Sequence, residues 1–411
     1  MDVTIGVALC LSAMLCSAGL AGEAGEAAPE KLPATAGMPI LAWGSIDAAH
    51  TSVERFRELA DAGFNQHFTY SYASAEELAK ALDAASRAGV KVHAFYKDML
   101  KDIPATVARF KEHPALAAWH LRDEPSARDF AQLAECIRQF AAADKNPDHF
   151  CYINLFPNYA STGPNGQLGT ASYREHIERF VKEVPVKVIS FDHYPITGNR
   201  LRAQWYENLE IIAKAARDAG KPFWAFALSV AHYSYPVPTL AHLRLEVYSD
   251  LAYGAQGIQY FTYWAPKGAE WGLAPVANDG RRTAVYDLVK EMNRELRGLS
   301  GVFVGSRVLS VGHTGKPPAG TAAYAPAAPI TALRTEGEGA VVSLLARDAR
   351  RFLVIVNRDF NKPMPLQVAW QESAAVAAVA KDGTLTRLSA RKREATIQPG
   401  DVEILSWVVQ P

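Results

Sequence analysis

Short apolar runs recur along the chain at one spacing. They occupy residues 38–46, 63–70, 90–97, 116–122, 149–156, 186–194, 221–229 and 256–264, with starts about 25 to 37 residues apart. That is the length of a strand plus a crossover helix. Between the runs, apolar residues recur three and four apart, as in Val53, Phe56, Leu59, Ala60; Leu78, Ala81, Leu82, Ala85; and Phe130, Leu133, Ile137, Phe140. Each set predicts a helix with one buried face. Gly63, Gly89 and Gly220 stand where such helices end in a left-handed residue before the next strand. Eight strand–helix units predict a closed (β/α)8 TIM barrel over residues 38–302. A doubly wound open sheet is the rival, but no GxGxxG turn follows the first run.

The pattern changes after Leu299. Residues 340–346, 352–357, 366–370 and 403–409 alternate or run apolar, separated by the turn pairs Asp382-Gly383 and Pro399-Gly400. Short strands with tight turns predict a smaller antiparallel β-sandwich over 303–411. The stretch 314–335, rich in proline, alanine and glycine, reads as a loop.

Ahead of the barrel, Ile5 to Leu20 form an apolar run too short to span a bilayer, with small residues Gly19 and Ala21 behind it. Residues 1–21 are therefore expected to be a signal peptide and 22–37 a flexible lead-in, placing the protein outside the cell or in a periplasm. An uncleaved anchor is the alternative, because the run is preceded by Asp2 rather than a basic residue. Beyond the leader only Cys136 and Cys151 remain, as two buried thiols or a single disulfide.

Composition removes several function classes. The chain has 411 residues, 43 basic against 43 acidic, and 49% hydrophobic. It is thus a globular chain without a basic surface for nucleic acid or an anionic membrane. There is no HExxH helix, GxSxG elbow or phosphate loop. The eleven histidines show no metal-ligand spacing, so no cofactor or metal is expected.

Barrel enzymes carry their chemistry at the C-terminal ends of the strands. Those ends hold Tyr70, Lys97, Asp123-Glu124-Pro125, Asn154, Asp192-His193-Tyr194, His232 and Trp264. The set is polar and aromatic, as a sugar pocket requires. Glu124, after an apolar strand and beside another acid, is the candidate proton donor, its pKa raised by burial and a like charge. Asp192, ending the sixth run, is the candidate second carboxylate, since glycoside hydrolysis uses two. Asp123, Tyr70, Lys97, Asn154, His193, Tyr194, His232, Trp264, Glu270 and Trp271 are candidate substrate ligands, with Trp119 assigned to the core.

The eight-run pattern, the acid-Glu-Pro end of strand four, the Asp-His-Tyr end of strand six and Trp264 resemble glycoside hydrolase clan A. The stretches Leu243 to Tyr263 and NDGRRTAVYDLVKEMNREL are similar to barrels near family 42, the β-galactosidases. The likeness covers about residues 38–300. It implies a hydrolase of O-glycosidic bonds with a carbohydrate partner, Glu124 in the place of the clan's acid/base and Trp264 in that of its strand-eight aromatic. Asp123 stands where the clan has asparagine. The clan's strand-seven glutamate has no counterpart, because Ala227, Leu228 and Ser229 occupy that stretch. The second acid is then Asp192, at a separation that admits a water for inversion, or Glu270. The alternative is a barrel that binds glycan without cleaving it.

Overall fold

The computed structural model describes Met1, residues 30–33 and residues 37–409. The expected leader after Met1, and with it the question of export, lies outside the described residues. Eight parallel strands close into a barrel: β1 (Ile40–Trp43), β2 (Gln66–His67), β3 (Lys91–Ala94), β4 (Leu116–Asp123), β5 (Phe150–Leu155), β6 (Ile189–Phe191), β7 (Phe223–Leu228) and β8 (Gly257–Phe261). Each pairs with its neighbour in sequence, and β1 pairs with β8 in the register Ile40–Ile258 to Trp43–Phe261. Seven strands fall inside their apolar runs, and β4 overruns its own by one residue, Asp123. A barrel strand is buried on both faces, and so it reads as a continuous apolar segment.

Helices α1 (Val53–Asp61), α2 (Ala75–Arg87), α3 (Ile103–Phe110), α4 (Phe130–Ala143), α5 (Tyr173–Glu183), α6 (Trp205–Asp218), α7 (Leu240–Ala252) and α8 (Ala284–Gly298) follow the strands, and a short α9 (Ser300–Phe303) ends the barrel. Their starts are set by side-chain caps: Ser52, Ser74 and Ser172 accept from the backbone N–H of Arg55, Glu77 and Glu175. Gly63 ends the first unit with φ +91°, and a Cβ there would lie 2.5 Å from the Cβ of Asn293 on α8. That position requires glycine twice over, for conformation and for space. Helix α7 departs from the one-faced pattern, with every residue from Leu245 to Ala252 buried. It lies between β7 and the C-terminal domain, which explains its lack of a polar stripe.

Beyond residue 306 the chain forms two antiparallel sheets. One contains β9 (Arg307–His313), β11 (Ala340–Arg347), β12 (Arg350–Asn357), β17 (Val402–Val408), β14 (Ala377–Val379) and β15 (Leu385–Arg387), in that spatial order. The other contains β10 (Ile330–Thr335), β13 (Met364–Trp370) and β16 (Lys392–Ile397). The stretch read as loop therefore ends in a strand, β10. Alternation divides the larger sheet: Val342, Leu353, Ile355 and Leu405 face the smaller sheet, whereas Val341, Val354, Val356 and Ile404 join the barrel core. Residues 30–33, at the end of the expected lead-in, are anchored on this domain, with Leu32 N–H donating to Gly383 O at 3.0 Å and Glu30 O accepting from Leu385 N–H at 2.8 Å. Cys136 and Cys151 are free thiols. Among the described residues no helix is long and apolar enough to cross a membrane.

Candidate active site at the barrel mouth

The barrel interior is filled by aromatic rings. Trp43, Phe68, Tyr152, Trp224 and Phe226 pack within it, and His120 stacks on Phe68 with ring centroids 3.9 Å apart. A buried polar cluster sits among them. Tyr152 and Ser190 share a hydrogen bond of 2.7 Å, Gln259 Nε2 donates to Ser190 Oγ at 2.8 Å, and Ser190 Oγ donates to Asn154 Oδ1 at 2.9 Å. The cluster orients Asn154 from below.

The amide of Asn154 holds two carboxylates. Its Nδ2 donates to Asp123 Oδ1 at 3.1 Å and to Asp192 Oδ1 at 2.9 Å. Both of its polar atoms are thus engaged, so Asn154, expected as a sugar-hydroxyl ligand, also positions the two acids. Strand β4 brings Asp123 to this amide through an irregularity. Register with β5 shifts between His120 and Arg122. A bulge advances the in–out alternation by one, so Arg122 is exposed while Asp123 turns to the cavity. Glu124 follows with φ +48°, its N–H donating to Asn154 O at 2.9 Å. A left-handed backbone is costly for glutamate, and the following Pro125 disfavours helical conformations there too. Ser126 then opens the turn into α4 by a capping box with Asp129.

Above these residues lies a cavity of about 390 Å³ lined by Trp43, Asp123, Glu124, Asn154, Tyr159, Asp192, Tyr194, Phe226, His232, Tyr233, Tyr235, Phe261 and Trp271. Three carboxyl groups share it. Burial, and then the charge of Asp123, push Glu124 up to about 7. Burial pushes Asp123 up to about 6, against the opposing Asn154 hydrogen bond. Asp192, the deepest of the three at 7% exposure, is held well above the usual carboxylate range by burial and then by the charges of Glu124 and Asp123. A half-buried space cannot carry three negative charges together, so the trio retains protons near neutral pH.

The cavity brings together Asp123, Glu124, Asn154, Asp192, Tyr194, His232 and Trp271 of the residues singled out from sequence. Tyr194 stacks on Phe261 at 5.5 Å, and His232 lies between Tyr235 and Trp271 at 4.6 and 4.7 Å. The remaining five stand elsewhere. Tyr70 sits outside the lining, its hydroxyl hydrogen-bonded to His120 Nε2 at 2.6 Å. Lys97 and Glu270 are exposed on their loops. His193 is buried behind the wall, its ring 5.0 Å from that of Tyr159. Trp264 is buried outside the mouth, 4.7 Å from the His50 ring and under the Arg55 guanidinium. Strand β8 ends three residues earlier, and Phe261 takes the cavity-facing position expected of Trp264. Trp119 is in the core, donating from Nε1 to Asp144 Oδ2 at 2.9 Å.

The sequence reading missed Trp43, Tyr159, Phe226, Tyr233, Tyr235 and Phe261. Trp43, Phe226 and Phe261 lie at or near strand ends, where the strand-end rule reaches them; the three tyrosines sit in loops that carry no such signal. Strand β7 delivers no carboxylate: Leu228 and Ser229 are buried, and Ser229 Oγ donates to Thr262 O at 2.9 Å. Glu246 of α7 reaches this strand from behind, accepting from Leu228 N–H at 2.7 Å, and burial pushes its carboxyl up to about 8. It does not line the cavity. Among the described residues no group of three or more His, Cys, Asp or Glu side chains is placed to hold a metal ion.

No protein-family model and no curated protein matches the chain. Solved structures do. A catalytic mutant of a family 42 β-galactosidase from G. stearothermophilus superposes with a TM-score of 0.62 at 10% identity, over 92% of this chain and 99% of that one. An Anoxybacillus α-amylase superposes with a TM-score of 0.55 at 9% identity, over 91% and 98%. At such identities the likeness is one of fold: this chain has the barrel-plus-sheet architecture of (β/α)8 glycoside hydrolases.

Proposed function

We propose that the protein hydrolyses an O-glycosidic bond, with Glu124 as proton donor and Asp192 as the second carboxylate. The reading is supported above all by one observation: three carboxyl groups of raised pKa, two of them tied through a single amide, share an aromatic-walled cavity. Glu124 retains its proton up to about pH 7 and delivers it to the glycosidic oxygen as the C–O bond breaks. In the reacting form one proton stays on Glu124 and Asp192 has lost its own to solvent, its anion steadied by the Asn154 amide. Water attacks the opposite face of the ring, loses its proton to Asp192, and gives a product of inverted configuration. Asp123 supplies the nearby charge that keeps Glu124 protonated.

A second reading rests on strand β7, which brings no carboxylate to the mouth; it makes the barrel a glycan-binding protein without turnover. A panel of nitrophenyl α- and β-glycosides of galactose, glucose, arabinose and fucose separates the two. Turnover of one of them, with the inverted anomer appearing first by proton NMR, is the expected outcome. Retention of configuration removes the water-activating role from Asp192. Binding without turnover across the panel overturns the hydrolase.

A further inference from the structure

The loop after β7 carries an aromatic ring that the carboxylate chemistry leaves unused. Tyr233 is 80% exposed yet lines the same cavity as Asp123, Glu124 and Asp192. Its backbone is left-handed, with φ +47°, a conformation that glycine or asparagine adopts far more readily than tyrosine. The tight turn that imposes it is closed by two hydrogen bonds, His232 N–H to Tyr235 O at 3.2 Å and Tyr235 N–H to His232 O at 2.8 Å.

This turn is held from three sides. Gly198, in the loop after β6, donates its N–H to Ser234 O at 2.8 Å. Ala231 exchanges backbone hydrogen bonds of 3.1 and 2.7 Å with Leu273 and Gly272 in the loop after β8. Behind it, Arg202 Nη2 donates to the Tyr235 hydroxyl at 3.1 Å, and the Tyr235, His232 and Trp271 rings stack in series. An exposed tyrosine contributes nothing to the core, and glycine would relieve the backbone. A strained, clamped turn that aims a ring at the rim is therefore accounted for by what the ring meets.

We infer that Tyr233 forms an outer subsite, stacking on the second sugar ring of a substrate at least two units long while the first occupies the carboxylate cavity. The inference rests on the reading of the cavity as a sugar site, and it makes the substrate class an oligosaccharide or a disaccharide-bearing glycoside.

The test uses lactose, melibiose and maltose, each beside the methyl glycoside of its non-reducing sugar, with the full-length wild type, Tyr233→Gly and Tyr233→Phe. The measured quantity is the kcat/KM ratio of disaccharide to methyl glycoside. Tyr233→Gly is expected to lower that ratio at least ten-fold, and Tyr233→Phe to keep it within about three-fold of wild type, since the ring survives. Glycine suits the left-handed position, and Tyr233→Asn serves as a second ring deletion should the glycine variant melt early. An unchanged ratio, or an equal loss on both substrates, overturns the subsite. If wild type binds these sugars without cleaving them, the same ratio is read from dissociation constants, so the subsite is tested although the hydrolase reading fails. A wild type that neither binds nor cleaves any of them overturns the subsite, whatever the nitrophenyl panel shows for the hydrolase.

Discussion

At the scale of single residues, the environment that suits Glu124 to the proposed role of proton donor costs stability. Burial raises its carboxyl from 4.5 to about 7, so the folded protein binds this proton more tightly than the unfolded chain. The stability associated with it is therefore complete below about pH 4.5 and is lost as pH rises through 7. Glu124→Gln abolishes that dependence. The variant is expected to be more stable than wild type at pH 8 by about 1–2 kcal/mol, with the difference vanishing near pH 4; thermal melts at the two pH values check this. In wild type, kcat/KM should fall above about pH 7, as the donor loses its proton. Asn154→Ala removes a donor from both Asp123 and Asp192, which makes their anions harder to form. The acidic limb of the pH–rate profile should then move upward, and turnover should fall by about 10- to 100-fold. An acidic limb that stays in place would show that the amide is not what steadies the anions.

At the scale of elements, the barrel was legible because each strand is buried on both faces and each helix, α7 apart, on one. Gly63 was legible too, for its place after α1 needs a left-handed residue. What the sequence could not convey is contact with α8, 231 residues away in the Asn293–Ala62 hydrogen bond. Gly63→Ala should cost about 1–3 kcal/mol in a denaturant titration, because it adds strain at φ +91° to a clash with Asn293. The site was legible in its residue types and less so in its aim. Nothing in Arg122-Asp123-Glu124 announces the bulge that turns Asp123 inward, since a bulge belongs to the pairing of β4 with β5. For the same reason Trp264 looked like the strand-eight platform, whereas β8 ends at Phe261 and the chain turns the indole toward α1. Asn154 was found by position, and a barrel sets β4 and β6 on either side of it, but the use of its amide depends on a register that the sequence does not give.

At the scale of the whole molecule, the two domains share a core and an ion network. Arg244 and Tyr248 of α7 and Lys381 of the C-terminal domain contact Glu295 of α8, whose side chain is 1% exposed, and Asp401 pairs with Arg244 and Lys381. Burial alone would raise the Glu295 carboxyl, yet its partners together hold it below the ordinary value. Its contribution is thus present above about pH 4.5 and lost in acid, opposite in sign to that of Glu124. Lys381→Met should lower stability by about 1–3 kcal/mol at neutral pH while calorimetry still records one transition for both domains. Two resolved transitions in wild type would contradict a shared core. The rigid frame has one principal task in this account, which is to hold Glu124 as an acid over the sugar. The most direct test compares Glu124→Gln with wild type on two glycosides of the cleaved sugar, one with a methoxide and one with a dinitrophenolate leaving group. A loss of at least about 1000-fold on the first and under about ten-fold on the second is predicted, because only the poor leaving group needs the proton. Equal losses on both, or no loss on either, would contradict it.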